Sequence, residues 1–153
     1  MNWLEHRIPP PLIALLCAVA MSGLAQAYAA IAFAPALRFG AAFALFALGL
    51  ASAIAGIFAF WRSGANIDPH KIDRGEVLVT TGVYRFTRNP MYLGMALVLC
   101  GYAFYLARPL AVLGPAVFAL YITRFQILPE ERAMLAKFGQ TYTAYRSATR
   151  RWI

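Results

Sequence analysis

The sequence predicts an all-α integral membrane protein with about four transmembrane helices and cytoplasmic amphipathic helices at its C-terminal end. Three observations carry this expectation. Of the 153 residues 61% are hydrophobic and only 13% charged, a composition far from that of ordinary soluble domains. The stretches Ile8 to Leu37, Phe39 to Trp61 and Asn89 to Ala107 contain no Asp, Glu, Lys or Arg, and a helix crosses the hydrocarbon core with about 20 apolar residues. The basic residues also sort by loop, as cytoplasmic segments of membrane proteins do.

The expected spans are 11–34, 39–60, 90–107 and 109–128, the last carrying Arg124 and Gln126 near its end. The length fits one domain over 1–153, with 11–34 and 39–60 as scaffold spans and 62–153 as the core. Small residues at Ala25 to Ala30 resemble a signal-peptidase site. Glu5 beside Arg7, the prolines Pro9 to Pro11 and the length of the apolar stretch instead favour a retained first span. In the second span Gly40, Ala44, Gly49, Ala53 and Gly56 form a small-residue face suited to close helix packing in lipid.

Arg7, the middle loop (Arg62, Lys71, Arg74, Arg85, Arg88) and the tail (Arg132, Lys137, Arg146, Arg150, Arg151) collect the cations, and the opposite side holds only Arg38 and Arg108. Both termini and the middle loop are therefore expected to face the cytoplasm. The small size points to a bacterial inner membrane as the expected location. The net charge of +8 is accounted for by topology and lipid headgroup contact, so no nucleic-acid partner is expected. Cys17 and Cys100 fall inside spans, and His6 and His70 stand alone, which predicts neither a disulfide framework nor a metal site.

In the middle loop, Asn66 to Pro69 and Arg74-Gly75 read as turns, and residues 76–81 as an extended segment. Asn89 and Pro90 then supply an N-cap and a first helical residue for the third span. Pro129 repeats the device beyond the fourth span, with Glu130 and Glu131 in the first turn of an amphipathic helix that Gly139 ends. A second short helix carries Tyr142, Tyr145 and Arg146.

Only six residues are acidic, and two of them are adjacent at a membrane edge. There they meet the start of the third span, whose free N–H groups suit a carboxylate or phosphate. The acids suit an ammonium or ribose hydroxyls, and Tyr84, Tyr92 and Tyr102 offer faces for a cation. S-adenosylmethionine carries all the matching groups. Purely structural roles exist for the same residues: the glutamates complement a helix dipole, the arginines anchor topology, and the tyrosines form an interfacial belt. Arg124, about one turn before the end of its span, either snorkels or faces a wet cavity.

The segment GVYRFTRNPMYLG at 82–94, PEER at 129–132, FGQTYTAYR at 138–146 and RRW at 150–152 together resemble the isoprenylcysteine carboxyl methyltransferase family, within a wider group that includes phospholipid N-methyltransferases. The resemblance covers about residues 66–153. It implies an S-adenosylmethionine site at the cytoplasmic end of the last two spans, with Tyr84, Asn89, Pro90, Tyr92, Gly94, Glu130, Glu131 and Tyr142 binding the cofactor. Arg88, Arg124, Glu131 and Arg146 are the candidate catalytic residues, the arginines positioning an acceptor and Glu131 orienting one of them. Asn89 stands where the carboxyl-methylating enzymes usually carry His, and it cannot exchange a proton near pH 7. The acceptor is thus left open as a lipophilic or small molecule with an oxygen, nitrogen or sulfur nucleophile, a carboxylate among them, entering sideways between the third and fourth spans. The oligomeric state is open too. A sterol-reductase-type enzyme using NADPH and a non-enzymatic scaffold are the competing readings.

Overall fold

The computed structural model describes residues 5, 7–27, 29–63 and 77–153. Among them the chain is helical, with no strand beyond a single bridge between Thr87 and Arg150. The helices are α1 (Pro10–Ala27), α2 (Pro35–Ser63), α3 (Pro90–Leu106), α4 (Leu113–Ile122) and α5 (Leu128–Ala148). Short 3-10 turns at Gly82–Arg85 and Pro109–Val112 and a π turn at Thr123–Ile127 complete the described elements. Proline begins α1, α2 and α3, at a position where the helix leaves the N–H unused.

Pro10–Ala27, Pro35–Ser63 and the continuous helical stretch Pro109–Ala148 are long and apolar enough to cross a membrane, and α3 is a shorter apolar helix. The protein is an all-α integral membrane protein. Several boundaries differ from the sequence expectation. The first span stops at Ala27 instead of 34, because Pro35 opens α2 and the intervening Ile31 N–H is held by the Ala107 carbonyl at 2.8 Å. Arg38 thereby falls inside α2 and turns back to donate Nε–H to the Tyr105 carbonyl at 2.8 Å. The fourth span is broken into a 3-10 turn, α4 and the π turn. Residues 77–80 form no ladder. The turns at Asn66–Pro69 and Arg74–Gly75, along with His6 and His70, lie outside the described residues. Gly139 does interrupt the tail helix, with φ 52° and ψ −122° inside α5.

α3 is the hub, packed on α2 along its length and touching α1 and α4. Its contact with α2 is a seam of glycines. A Cβ on Gly94 would lie 2.5 Å from the Gly49 carbonyl oxygen, and one on Gly49 would lie 2.6 Å from that of Gly94. Gly101 meets Ala42 and Gly56 meets Pro90 in the same seam. The expected face of α2 is therefore right at Gly49, Ala53 and Gly56 and wrong at Gly40 and Ala44. At about 100° per residue, the nine positions from Gly40 to Gly49 turn Gly40 to the opposite side. A Cβ on Gly40 meets nothing within 4 Å, and Ala44 is exposed.

A second packing layer is conventional. Ile13, Cys17 and Met21 of α1 bury against Leu99, Phe118, Ile122 and Ile127. Gly114 leaves the room that the Met21 thioether fills.

The seam predicts a sharp asymmetry. Gly94→Ala should lower stability by about 1–3 kcal/mol through overpacking. Gly40→Ala, inside α2 with open space around the added methyl, should instead raise it by about 0.4–1 kcal/mol. Unfolding of both variants in the same detergent checks the pair.

Candidate functional site

The site is assembled from three segments far apart in sequence: the loop leading into α3, the first turn of α5, and the last residues of the chain. Gly82, at φ 63°, starts the 3-10 turn from which Tyr84 is buried, its ring edge-on to Phe60 of α2 at 5.3 Å. Tyr145 of α5 donates its hydroxyl to the Tyr84 carbonyl at 2.8 Å, tying the tail helix to this turn.

The next residues grip the C-terminal end. The Arg88 N–H donates to the Arg150 carbonyl at 3.0 Å. Asn89 Nδ2 and Thr87 Oγ1 donate to the Arg151 carbonyl at 2.9 and 3.3 Å. Asn89 holds the N-cap position of α3, but its side chain makes no cap bond. The expectation of a capping side chain is corrected here, because the tail carbonyl takes that amide instead.

Arg88 is the central cation, its side chain only 9% exposed. Nη1 donates to the carbonyls of Arg146, at 3.1 Å, and Thr149. Nη2 donates to Glu131 Oε1 at 2.7 Å. Arg151 binds the same carboxylate with two bonds, Nε to Oε1 at 3.0 Å and Nη2 to Oε2 at 2.8 Å. Burial by itself would push the Glu131 carboxyl up. The bonds and charges of Arg151 and Arg88 outweigh it and hold the group below its ordinary value.

Glu130, one residue earlier, has the opposite environment. It accepts the Tyr92 hydroxyl at 2.6 Å through Oε1 and is paired with no cation among the described residues. Burial, opposed by the Tyr92 bond and reinforced by the charge of Glu131, pushes its carboxyl up to about 7. Burial also raises Tyr84, with smaller contributions from Tyr145 and Glu130, so its phenol stays protonated. Among the described residues, the buried side-chain atoms without a hydrogen-bond partner are Tyr84 Oη, Arg88 Nε and Tyr121 Oη. Two of these three donors belong to this cluster.

Arg88, Glu130, Glu131, Asn89, Pro90, Tyr84 and Tyr92 thus come together, with the buried Tyr142 beside them on α5. Other expected members are placed differently. Gly94 lies in the α2 seam. The Arg124 side chain, 46% exposed, is 3.5 Å from Glu5 of the N-terminal segment, where Arg132 also pairs at 2.8 Å. It meets Glu5 and not Glu131 because the π turn adds a residue before α5 and rotates position 124 away. Arg146 gives its carbonyl to Arg88 while its side chain is exposed. Tyr102 bonds Ser22 Oγ at 2.6 Å, 12 residues (about 18 Å of helix) beyond Pro90.

Arg151 is the residue that sequence reasoning left without a role. Its signal was the surplus of acid at 130–131, which needs more than one nearby cation. Sequence offered no means of choosing between Arg150 and Arg151.

Two predictions follow from these environments. Arg88→Ala takes one of two cations from a buried carboxylate and the shared donor from two carbonyls and should cost about 3–5 kcal/mol, whereas Arg124→Ala removes a half-exposed cation from Glu5, which keeps Arg132, and should cost at most about 1 kcal/mol. The second concerns pH. The folded chain holds the Glu130 proton more tightly than the unfolded chain, whose value is near 4.5. The stability this contributes is complete below pH 4.5 and is lost as pH rises through about 7, by up to about 3 kcal/mol. Glu130→Gln should flatten that part of the stability profile, measured by unfolding from pH 4 to pH 8.

The family model described as phospholipid methyltransferase matches residues 37–141, a range that includes Arg88, Asn89, Tyr92 and both glutamates and ends before Tyr142. An uncharacterized protein of Haemophilus influenzae is 41% identical over 63 residues, which is 41% of this chain and the whole of that relative. The chain belongs to the phospholipid methyltransferase family, membrane methyltransferases in the wider group that includes the isoprenylcysteine carboxyl methyltransferases.

Proposed function

We propose that this chain is an S-adenosylmethionine-dependent methyltransferase of the cytoplasmic membrane, acting at its cytoplasmic face on a lipophilic or small acceptor. One observation carries the reading. A carboxylate without a cationic partner, Glu130, stands in the same cluster as two buried donors without acceptors, Tyr84 Oη and Arg88 Nε. Such a set complements a ligand that bears a cation and an acceptor together, as the amino-acid end of S-adenosylmethionine does. A buried polar atom left unmet costs about 1–3 kcal/mol, so a ligand that meets these groups gains binding free energy.

When bound, S-adenosylmethionine supplies a methyl group already activated on a sulfonium. The protein's part is alignment and exclusion of water, and methyl transfer by direct displacement requires both. Glu130 holds the cationic end, with Tyr92 fixing the orientation of its carboxylate. Tyr84 and Arg88 meet the acceptor atoms, and the start of α3 at Pro90 contributes free N–H groups. Tyr142 closes the site from α5. Glu131 orients Arg88. Arg146, exposed on α5, is a cation placed to steer an anionic acceptor such as a carboxylate. A lipophilic acceptor reaches this end of the bundle from the bilayer between α3 and α4. The basic middle loop and tail support the cytoplasmic orientation.

The test is binding of radiolabelled S-adenosylmethionine to the purified protein, with NADPH as competitor. The expected result is saturable binding that NADPH does not displace. It should fall about tenfold or more in Glu130→Gln, since a bond to a charged group is lost. No binding by the native chain, or displacement by NADPH, rejects the proposal. Labelled methyl transferred into a membrane extract then identifies the acceptor, and a base-labile product marks an ester.

A further inference from the structure

We propose that Arg151 is a positioning residue of the cofactor site: from the C-terminal tail it grips Glu131, and so leaves Glu130 as the one carboxylate of the adjacent pair that meets a cationic ligand. The inference rests on the cofactor reading above and assigns a role to a residue that lies past the range 37–141 matched by the family model.

The geometry gives Arg151 work that Arg88 does not perform. Arg88 commits Nη1 to the carbonyls of Arg146 and Thr149, which leaves Nη2 for Glu131. Arg151 supplies the remaining two bonds, and Oε2 of Glu131 depends on it. Glu131 is 8% exposed, so water does not replace a missing partner easily. The planar fork of a guanidinium suits this side-on grip, and an ammonium does not reproduce it.

The tail is set in register on both sides of Arg151. The bridge between Thr87 and Arg150 fixes the residue before it, whose side chain stays exposed. The Trp152 indole N–H, donating to Thr123 Oγ1 at 3.2 Å in the π turn, fixes the residue after it. Arg151 is therefore presented to the first turn of α5 by two anchors on separate elements. Among the described residues, the charged and titratable groups that act on the pair divide between its two members. Arg88, Arg151 and Tyr142 surround Glu131, while Tyr92, Tyr84 and Glu131 surround Glu130. Both cations are engaged with Glu131, which splits two neighbouring carboxylates into a neutralised member and an available one.

Arg151→Gln and Arg151→Lys test this in purified protein, with three readouts: thermal unfolding, infrared titration of the carboxylates without cofactor, and binding of labelled S-adenosylmethionine across pH. In Arg151→Gln the loss of a cation should move the Glu130 titration midpoint to higher pH. Binding should weaken about tenfold, as for one lost charge-assisted bond. Arg151→Lys keeps the charge without the fork, so the midpoint should return toward that of the native chain while binding stays weakened. An unchanged midpoint in Arg151→Gln overturns the proposal, whether binding is kept or lost, because a tail that only supports the fold would not move it. If Arg151→Gln does not fold, Arg151→Lys decides, and native-like binding by that variant overturns the proposal. If the native chain binds no S-adenosylmethionine, the cofactor reading fails, and the infrared midpoints alone decide the role of Arg151.

Discussion

The site depends on a single buried carboxylate. Glu131 sits just beyond the apolar part of the last long helix, largely out of reach of bulk water, and must be matched by cations to remain charged. Arg88 and Arg151 supply them from segments 63 residues apart, the loop before α3 and the tail. That requirement draws the loop before α3, the first turn of α5 and the last residues of the tail to one point. The backbone contacts of Thr87, Arg88 and Asn89 with Arg150 and Arg151 then follow the same convergence.

The rest of the bundle holds this point steady. Lipid gives helices no hydrophobic reason to associate, so α2 and α3 rely on close backbone approach, which the facing glycines at 49 and 94 permit. Ser52 of α2 donates to the Pro90 carbonyl at 2.8 Å in the same interface, so the start of α3 is fixed in depth as well as in distance. The π turn completes the frame. Its Gln126 donates to the Ile8 carbonyl at 2.9 Å and its Thr123 receives Trp152, so both ends of the chain meet on it just before the glutamates. A turn widened by one residue sets the rotation of α5, and with it the direction of Glu130.

The two glutamates show how far neighbouring residues can diverge. They share a helix turn and a membrane depth, yet one is held below its ordinary carboxyl range and the other is raised to about 7. The difference lies in which face of α5 each occupies. Glu131 points to the tail and its arginines, and Glu130 points to the tyrosines of the α3 side. Opposite environments on adjacent acids are a recurrent mark of functional sites.

Sequence alone determined the class of the molecule, because charge-free runs and the sorting of basic residues act through the bilayer and need no tertiary contact. It also identified most of the cluster, since Arg88-Asn89-Pro90, Tyr92 and Glu130-Glu131 are local patterns at helix starts. Gly139 as a helix stop and Gly49 with Gly56 as a packing face were legible for the same reason: each follows from backbone conformation or helical period. Only the tertiary structure decided which candidates meet. Arg124 and Arg151 are both arginines near a helix or chain end, and nothing local separates them. A π turn that rotates one toward Glu5, and an extended tail that presents the other to Glu131, are long-range facts. The role of Asn89 changed likewise, from cap to tail clamp, because its amide finds the Arg151 carbonyl only after residues 62 apart in sequence have been brought together.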